Sequence, residues 1–166
     1  MSAATIVLDA IMIGIGATAI GDLWALFVRR VLGVPSPDWA LVGRWVGHMP
    51  RGRFMHSPIA AAAPIRNERI VGRIVHYGIG IGFAAILLAI WGATWAERPT
   101  PGPALIVGLA SIAAPFLIMQ PAFGFGIAGS KLPNPPAARF KSLTTHLVFG
   151  LGLYLAALCW AALRFG

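Results

Sequence analysis

Charged side chains are scarce in this sequence. Asp, Glu, Lys and Arg together make up 11% of the 166 residues, whereas hydrophobic residues make up 58% and the mean hydropathy is +0.79. A soluble domain carries about 25% charged residues. This shortage argues against a soluble protein and favours one whose surface lies largely in lipid.

Cysteine and glutamate are also scarce, and each shortage excludes a class of site. Cys159 is the single cysteine, so an intrachain disulfide, a zinc ribbon and an iron–sulfur site are excluded. Glu68 and Glu97 are the only glutamates, too few for a carboxylate-bridged di-iron site. The run GFGIAG, residues 124–129, matches G-x-G-x-x-G, but no βαβ pattern surrounds it, so we do not interpret it as a nucleotide site.

Long apolar runs are abundant and predict membrane helices. Four stretches approach the length of about 20 apolar residues that a spanning helix needs, and they cover residues 5–28, 74–96, 103–120 and 142–163. Pro115 and Pro121 predict a kink in the third stretch. The first stretch lacks a basic n-region and a small-residue cleavage site, so we expect a retained helix. The predicted fold is all-α: a polytopic membrane protein with four transmembrane helices in a bundle, forming a single domain over residues 1–166.

The basic residues predict how this bundle is oriented. Eleven of the 13 Lys and Arg residues fall within residues 29–73 and 121–141, and only Arg98 and Arg164 lie on the other side of the spans. The positive-inside rule then places both basic loops in the cytoplasm and both termini on the periplasmic side of a bacterial inner membrane. The net charge of +8 is explained by anionic lipid headgroups as partners, and no nucleic-acid partner is predicted.

The first cytoplasmic loop contains signals for an amphipathic helix at the membrane surface. Ser36 is the expected N-cap, with Pro37 at the first helical position. Trp39 and Trp45 are expected at the level of the lipid headgroups. The run HMPRGRFMHS, residues 48–57, follows directly, and we interpret it as an interfacial loop whose arginines bind lipid phosphates.

Ionisable and polar residues inside membrane spans are functional candidates by default. Each span contributes one polar group toward the cytoplasmic side, and these four groups are Asp22, His76, Gln120 and His146. We hypothesise that they line a polar pocket which His48 and His56 cover from the loop. Asp9 lies nearer the outer end of the first span, where we expect water or a headgroup to reach it.

A repeated spacing raises the hypothesis of a haem site. A glycine follows a histidine by four residues in two spans, and these pairs are His76 with Gly80 and His146 with Gly150. The glycines can serve helix packing, because the missing side chain lets a neighbouring helix approach closely, and this is the better explanation of the glycines taken alone. Alternatively, the missing side chain leaves room for a flat ligand beside an axial histidine. In the second case His76 and His146 would ligate haem b, and Arg73, Arg139 and Lys141 would pair with its propionates.

A transition-metal site is the second hypothesis. The loop histidines His48 and His56 would join His76 or His146, with Met49 and Met55 as additional candidates. Imidazole suits zinc, copper, iron or nickel, and thioether favours Cu(I). The spacing matches no established metal motif.

Two further classes of function stay open. The protein can be an accessory or structural subunit of a larger membrane complex, or a homo-oligomer, whose histidines only pack and form hydrogen bonds. It can also be a proton-coupled transporter that uses Asp22 and the histidines. The sequence names no substrate and no reaction.

Four runs carry a resemblance to a known family. They are GATAIGDLWALFVRRVLGVPSPDWALVGRWVGHMPRGRFMHSPI, HYGIGIGFA, QPAFGFGIAGSK and SLTTHLVFGLGLYL, which together extend over nearly the whole chain. They resemble a family of small bacterial inner-membrane proteins that is described as a domain of unknown function. The resemblance implies a four-helix inner-membrane protein and implies no activity and no site residues.

Overall fold

The computed structural model of the protein describes residues 2–165, and no strand occurs among them. Four helical stretches are long and apolar enough to cross a membrane, Ala3–Leu32, Glu68–Trp91, Pro101–Ala122 and Pro135–Arg164. The predicted all-α class with four apolar spans is therefore confirmed. The helices are α1 (Ala3–Leu32), α2 (Trp39–His48), α3 (Glu68–Trp91), α4 (Pro101–Ala110), α5 (Gln120–Ala122) and α6 (Pro135–Phe165).

The observed ends of α3 differ from the predicted ones for local reasons. The helix begins at Glu68 instead of residue 74, because the carbonyl of Asn67 accepts the N–H groups of Ile70 and Val71 and so starts the helical pattern early. It ends at Trp91 instead of residue 96, because the next residue is a glycine with a φ of 83°. Hydropathy alone placed the helix one to two turns too late.

The helix predicted in the first loop is present as α2, but its N-cap is not Ser36. Asp38 is the N-cap, and its carboxylate accepts the N–H of Ala40 at 3.0 Å. A carboxylate also suits the positive end of the helix dipole. The Ser36 hydroxyl instead donates to the carbonyl of Ala25 at 3.3 Å.

The third span is irregular, as its two prolines predicted. After α4 the chain forms a π-helical turn over Pro115–Met119 and then the short helix α5. Proline lacks the N–H that an α-helix needs, so the regular hydrogen-bond pattern is interrupted here. π-helical turns within helices occur frequently at functional sites.

The chain folds into two compact units, and the first contains α1, Tyr77–Ser111 and the chain from Thr144 onward. Its core includes the fully buried side chains of Ile13, Leu87 and Leu153. Glycines let its helices approach each other closely, since a Cβ on Gly14 would lie 2.4 Å from the Cα of Ile81. Such contacts between small residues are typical of membrane helices.

The second unit consists of Pro37–His76 and Ile112–Leu143. Its core is formed by Val42, Ile59, Ala122 and Phe123. Helix α2 packs tightly against the start of α3, because a Cβ on Gly43 would lie only 1.8 Å from the carbonyl oxygen of Glu68. One face of α2 is therefore covered by protein.

Large apolar side chains cover much of the outer surface of the spans. Leu163, Ile74 and Ile90 are 79%, 67% and 63% exposed, and many other leucines and isoleucines are exposed beside them. Soluble monomers rarely expose contiguous apolar surface on this scale. Exposure of this kind is what helices that face lipid require.

Candidate metal centre

The run HMPRGRFMHS brings its two histidines together. His48 is the last residue of α2, and a 3₁₀ turn over Met49–Arg51 follows. Gly52, with a φ of 72°, then reverses the chain. The imidazole rings of His48 and His56 lie with their centroids 5.3 Å apart. The run HMPRGRFMHS therefore forms a loop whose last histidine returns to its first.

Three ring nitrogens of this pair are buried without a hydrogen-bond partner. The Nε2 atom of His48 lies 2.9 Å from the carbonyl oxygen of Ala63. A carbonyl oxygen only accepts, so Nε2 carries the proton and the neutral ring has its lone pair on Nδ1. That Nδ1 atom and both ring nitrogens of His56 are buried and unpartnered. The pair thus offers lone pairs that nothing in the described protein uses.

The surroundings of His56 disfavour its charged form. Burial lowers the pKa of the His56 imidazole, and the neighbouring charges of His48 and Arg53 lower it further. The backbone of Ala122, which lies beside the imidazole, acts on this pKa in the opposite direction. The neutral ring is therefore favoured, and a neutral ring keeps a lone pair.

Backbone hydrogen bonds attach this loop to the end of the third span. The His56 N–H donates to Ala122 at 2.8 Å, and the Ile59 N–H donates to Phe123 at 3.1 Å. A Cβ at Gly124 would lie 2.7 Å from the His56 carbonyl oxygen, so only glycine permits this approach. The Trp45 indole N–H donates to the Phe54 carbonyl at 2.8 Å, which connects the loop back to α2.

Arg44, in α2, forms hydrogen bonds both to the later part of the first loop and to the start of α3. Its guanidinium donates to both carboxylate oxygens of Glu68 at 2.9 Å, and to the carbonyls of Ala60 and Ala62 at 3.0 and 3.1 Å. The hydrogen bond to Glu68 raises the pKa of Arg44. Sequence reasoning missed this pair. Its signal was a lone glutamate among the basic residues of the loop.

The predicted metal site, in which His76 or His146 would join His48 and His56, is not assembled. Within residues 2–165, no group of three or more His, Cys, Asp or Glu side chains could hold a metal ion. His76 instead stacks on Trp39, with ring centroids 3.7 Å apart and an interplanar angle of 21°. The rings of His48 and His56 are in contact with each other. The Met55 side chain is 67% exposed, so its thioether is not buried with the two imidazoles.

His146 belongs to a different contact in the first unit. Its Nδ1 atom lies 2.7 Å from the Ser111 hydroxyl, which itself lies 2.6 Å from the carbonyl oxygen of Gly108. The hydroxyl must donate its single proton to the carbonyl, so His146 donates from Nδ1 to Ser111.

The two glycines of the haem hypothesis face protein. A Cβ on Gly150 would lie 3.0 to 3.3 Å from backbone atoms of α4. A Cβ on Gly80 would lie 2.0 Å from the Thr18 hydroxyl. Neighbouring helices therefore fill the space that a haem plane would need beside these glycines, as the packing interpretation expects. Arg139 donates from Nε to the Ala128 carbonyl at 3.0 Å.

The remaining predicted polar residues have separate surroundings. The Tyr77 hydroxyl donates to a carboxylate oxygen of Asp22 at 3.2 Å in the first unit. Gln120 is buried in the second unit, and its Oε1 atom has no hydrogen-bond partner.

Asp9 is not reached by water, contrary to expectation. It is fully buried, and its Oδ1 atom accepts from Arg164 and from the Trp160 indole N–H. The sequence analysis correctly predicted that Asp9 lies near an end of α1. It did not predict the ion pair with Arg164, which comes from the end of α6.

The fold defines the class of protein: an all-helical protein with four helices suited to crossing a membrane. Residues 11–160 match the family described as Protein of unknown function (DUF2938), and the chain belongs to this family. Neither the curated proteins nor the solved structures gave a match.

Proposed function

We propose that this protein is an integral membrane protein that binds a transition-metal ion through His48 and His56. The carrying observation is the buried, unpartnered Nδ1 of His48, which lies in a ring 5.3 Å from that of His56. Neutral imidazole is the commonest metal ligand in proteins and suits zinc, copper, iron and nickel.

The hydrogen bond from His48 to Ala63 supports this role. Metal-binding histidines almost always donate their other ring N–H to a carbonyl or carboxylate, which fixes the tautomer and the ring orientation. His48 has this arrangement through Nε2 and the Ala63 carbonyl. An unsatisfied buried polar group costs about 1–3 kcal/mol, so an ion bound by Nδ1 of His48 and by the lone pair of His56 would remove this cost at two of the three nitrogens.

Metal titration of the purified protein tests the proposal. Protein in mild detergent is stripped with a chelator and titrated with Zn(II) by isothermal calorimetry. The double variant H48A/H56A should bind Zn(II) at least tenfold more weakly than the wild type, while circular dichroism reports retained helix content. The matched control H76A/H146A removes the other two histidines and should retain binding. Unchanged binding in H48A/H56A, or loss confined to the control, would overturn the assignment.

We also propose that the protein lies in a bacterial inner membrane, with its basic loops in the cytoplasm and both termini in the periplasm. The support is the distribution of charge, with eleven basic residues on one side of the spans and two on the other. Exposed arginines of the first loop, such as Arg51 and Arg66, are then placed to contact anionic headgroups.

A further inference from the structure

We infer that the tip of the first loop, residues 51–55 (RGRFM), is a docking surface for anionic lipids of the membrane in which the protein lies. Arg51, Gly52 and Arg53 are exposed, and the side chains of Phe54 and Met55, which follow them, are 56% and 67% exposed. The inference rests on the proposed membrane location and does not depend on metal binding by the two histidines of the loop.

Hydrogen bonds place the loop tip at the level where the third span ends. The His56 N–H donates to the carbonyl of Ala122, the last residue of that span, at 2.8 Å. Phe54 precedes His56 by two residues, and two residues of extended chain reach at most about 7 Å. The polar region on each side of the hydrocarbon core of a bilayer is about 5–7 Å thick. The loop tip therefore lies at the depth of the lipid headgroups.

The exposed side chains of the loop tip match the two chemical layers at this depth. Phe54 and Met55 are apolar, so insertion between lipid molecules removes their surface from water. Arg51 and Arg53 carry guanidinium groups, whose paired N–H donors suit phosphate oxygens. A long arginine side chain can also lie along apolar surface while its charged end stays in the headgroup layer. A phospholipid surface, with hydrocarbon next to phosphate, is the partner that suits both kinds of side chain.

The charge around the loop tip favours anionic lipids. No Asp or Glu occurs within residues 39–67. The carboxylates on either side of this range have other partners, since Asp38 caps α2 and Glu68 binds Arg44. The positive charge of the loop tip is therefore directed at the membrane surface and not at a carboxylate of the loop. Each arginine near an anionic surface contributes about fivefold in affinity.

The loop tip is held in its exposed conformation by hydrogen bonds to α2. The Arg53 N–H donates to the carbonyl of His48 at 3.3 Å. The Trp45 indole N–H donates to the carbonyl of Phe54 at 2.8 Å. A surface that is ordered before it binds loses less conformational entropy on binding. The loop tip is therefore preorganised to present its side chains to the lipid.

A fluorescent label at the loop tip tests the inference. In a Cys159→Ser background, Met55→Cys is labelled with the environment-sensitive fluorophore NBD, and the protein is reconstituted into vesicles of phosphatidylcholine with or without phosphatidylglycerol. Lipids that carry a nitroxide on the headgroup quench a fluorophore at the interface, and they are present in both leaflets, so the orientation of the protein does not affect the result. We expect stronger quenching and a blue shift of the emission in the vesicles that contain phosphatidylglycerol.

Two charge variants provide the matched comparison. R51Q/R53Q removes both arginines of the loop tip and should lower the quenching to the level seen in phosphatidylcholine alone. R29Q/R30Q removes two exposed arginines from the last turn of α1, on the same predicted side of the membrane, and should leave the quenching unchanged.

The outcomes separate this inference from the proposed membrane location. Equal quenching in both lipid mixtures, or equal effects of the two variants, would overturn the selectivity of the loop tip for anionic lipids. A label that stays in water in both mixtures would overturn the lipid surface as the partner and would indicate a protein partner instead. Protein that is not incorporated into either kind of vesicle would overturn the membrane location as well.

Discussion

The single proton of the Ser111 hydroxyl determines how His146 is held. Because that proton goes to the Gly108 carbonyl, the hydroxyl can only accept from His146. Ser111→Ala should leave the Nδ1–H of His146 without its partner. Hydrogen bonds between membrane helices contribute about 0.6 kcal/mol on average and up to about 1.7, so we expect a loss of about 1 kcal/mol. Thermal unfolding in detergent measures it.

Thr100→Ala is the matched control for this hydroxyl deletion. Thr100 is exposed at the N-cap of α4, and its side chain makes no capping hydrogen bond. Its removal should change the unfolding temperature little. Equal effects of the two substitutions would contradict the assigned role of Ser111.

At the scale of single residues, the sequence analysis grouped all four histidines and singled out neither the pair that is in contact nor the role of each ring nitrogen. His48 and His56 are eight positions apart around a glycine, so their proximity was foreseeable. The carbonyl of Ala63, which fixes the tautomer of His48, is a backbone group, so no pattern of side chains in the sequence predicts this hydrogen bond. The burial of Asp9 depends on Arg164, which comes from the far end of the chain.

At the scale of helices, the contact between α2 and α3 depends on Gly43. The Cβ of an alanine there would lie 1.8 Å from the Glu68 carbonyl oxygen and 2.8 Å from the Gly72 nitrogen. These are backbone atoms, so the helices themselves must move apart. Overpacking of this kind typically costs about 1–3 kcal/mol. We expect Gly43→Ala to lower the unfolding temperature and to weaken Zn(II) binding, because His48 terminates the same helix.

Gly78→Ala provides the control for the general effect of replacing a helix glycine. A Cβ at Gly78 meets nothing within 4 Å. The substitution should be neutral or stabilising, by up to about 1 kcal/mol of helix propensity. If Gly43→Ala were as well tolerated as Gly78→Ala, the tight contact between α2 and α3 would not exist in solution.

The helices were predictable in number and position but not at their ends. Hydropathy located the four spans because each must present an apolar surface over its full length. The first two turns of α3 contain Glu68, Arg69 and Arg73, and those of α6 contain two prolines, Arg139 and Lys141, so hydropathy omitted them. The shift of the α2 N-cap from Ser36 to Asp38 shows the same limit, since two capping residues stood close together and the sequence did not rank them.

At the scale of the whole molecule, two independent sequence patterns relate the protein to a membrane: the long apolar runs and the uneven distribution of the basic residues. The apolar runs correspond to helices with widely exposed leucine and isoleucine side chains. The distribution of the basic residues predicts the orientation of the protein in the membrane, and no contact within the protein tests that orientation. Orientation therefore stays a prediction and needs a measurement in the membrane.

Cysteine labelling in intact cells provides that measurement. In a Cys159→Ser background, which removes the only native cysteine, single cysteines replace the exposed residues Arg66, Thr100 and Lys131. The positive-inside rule predicts that a membrane-impermeant maleimide labels Thr100→Cys in intact cells. It should label Arg66→Cys and Lys131→Cys only after permeabilisation. The reverse pattern would place the His48–His56 loop in the periplasm, where any bound ion would be drawn from outside the cell.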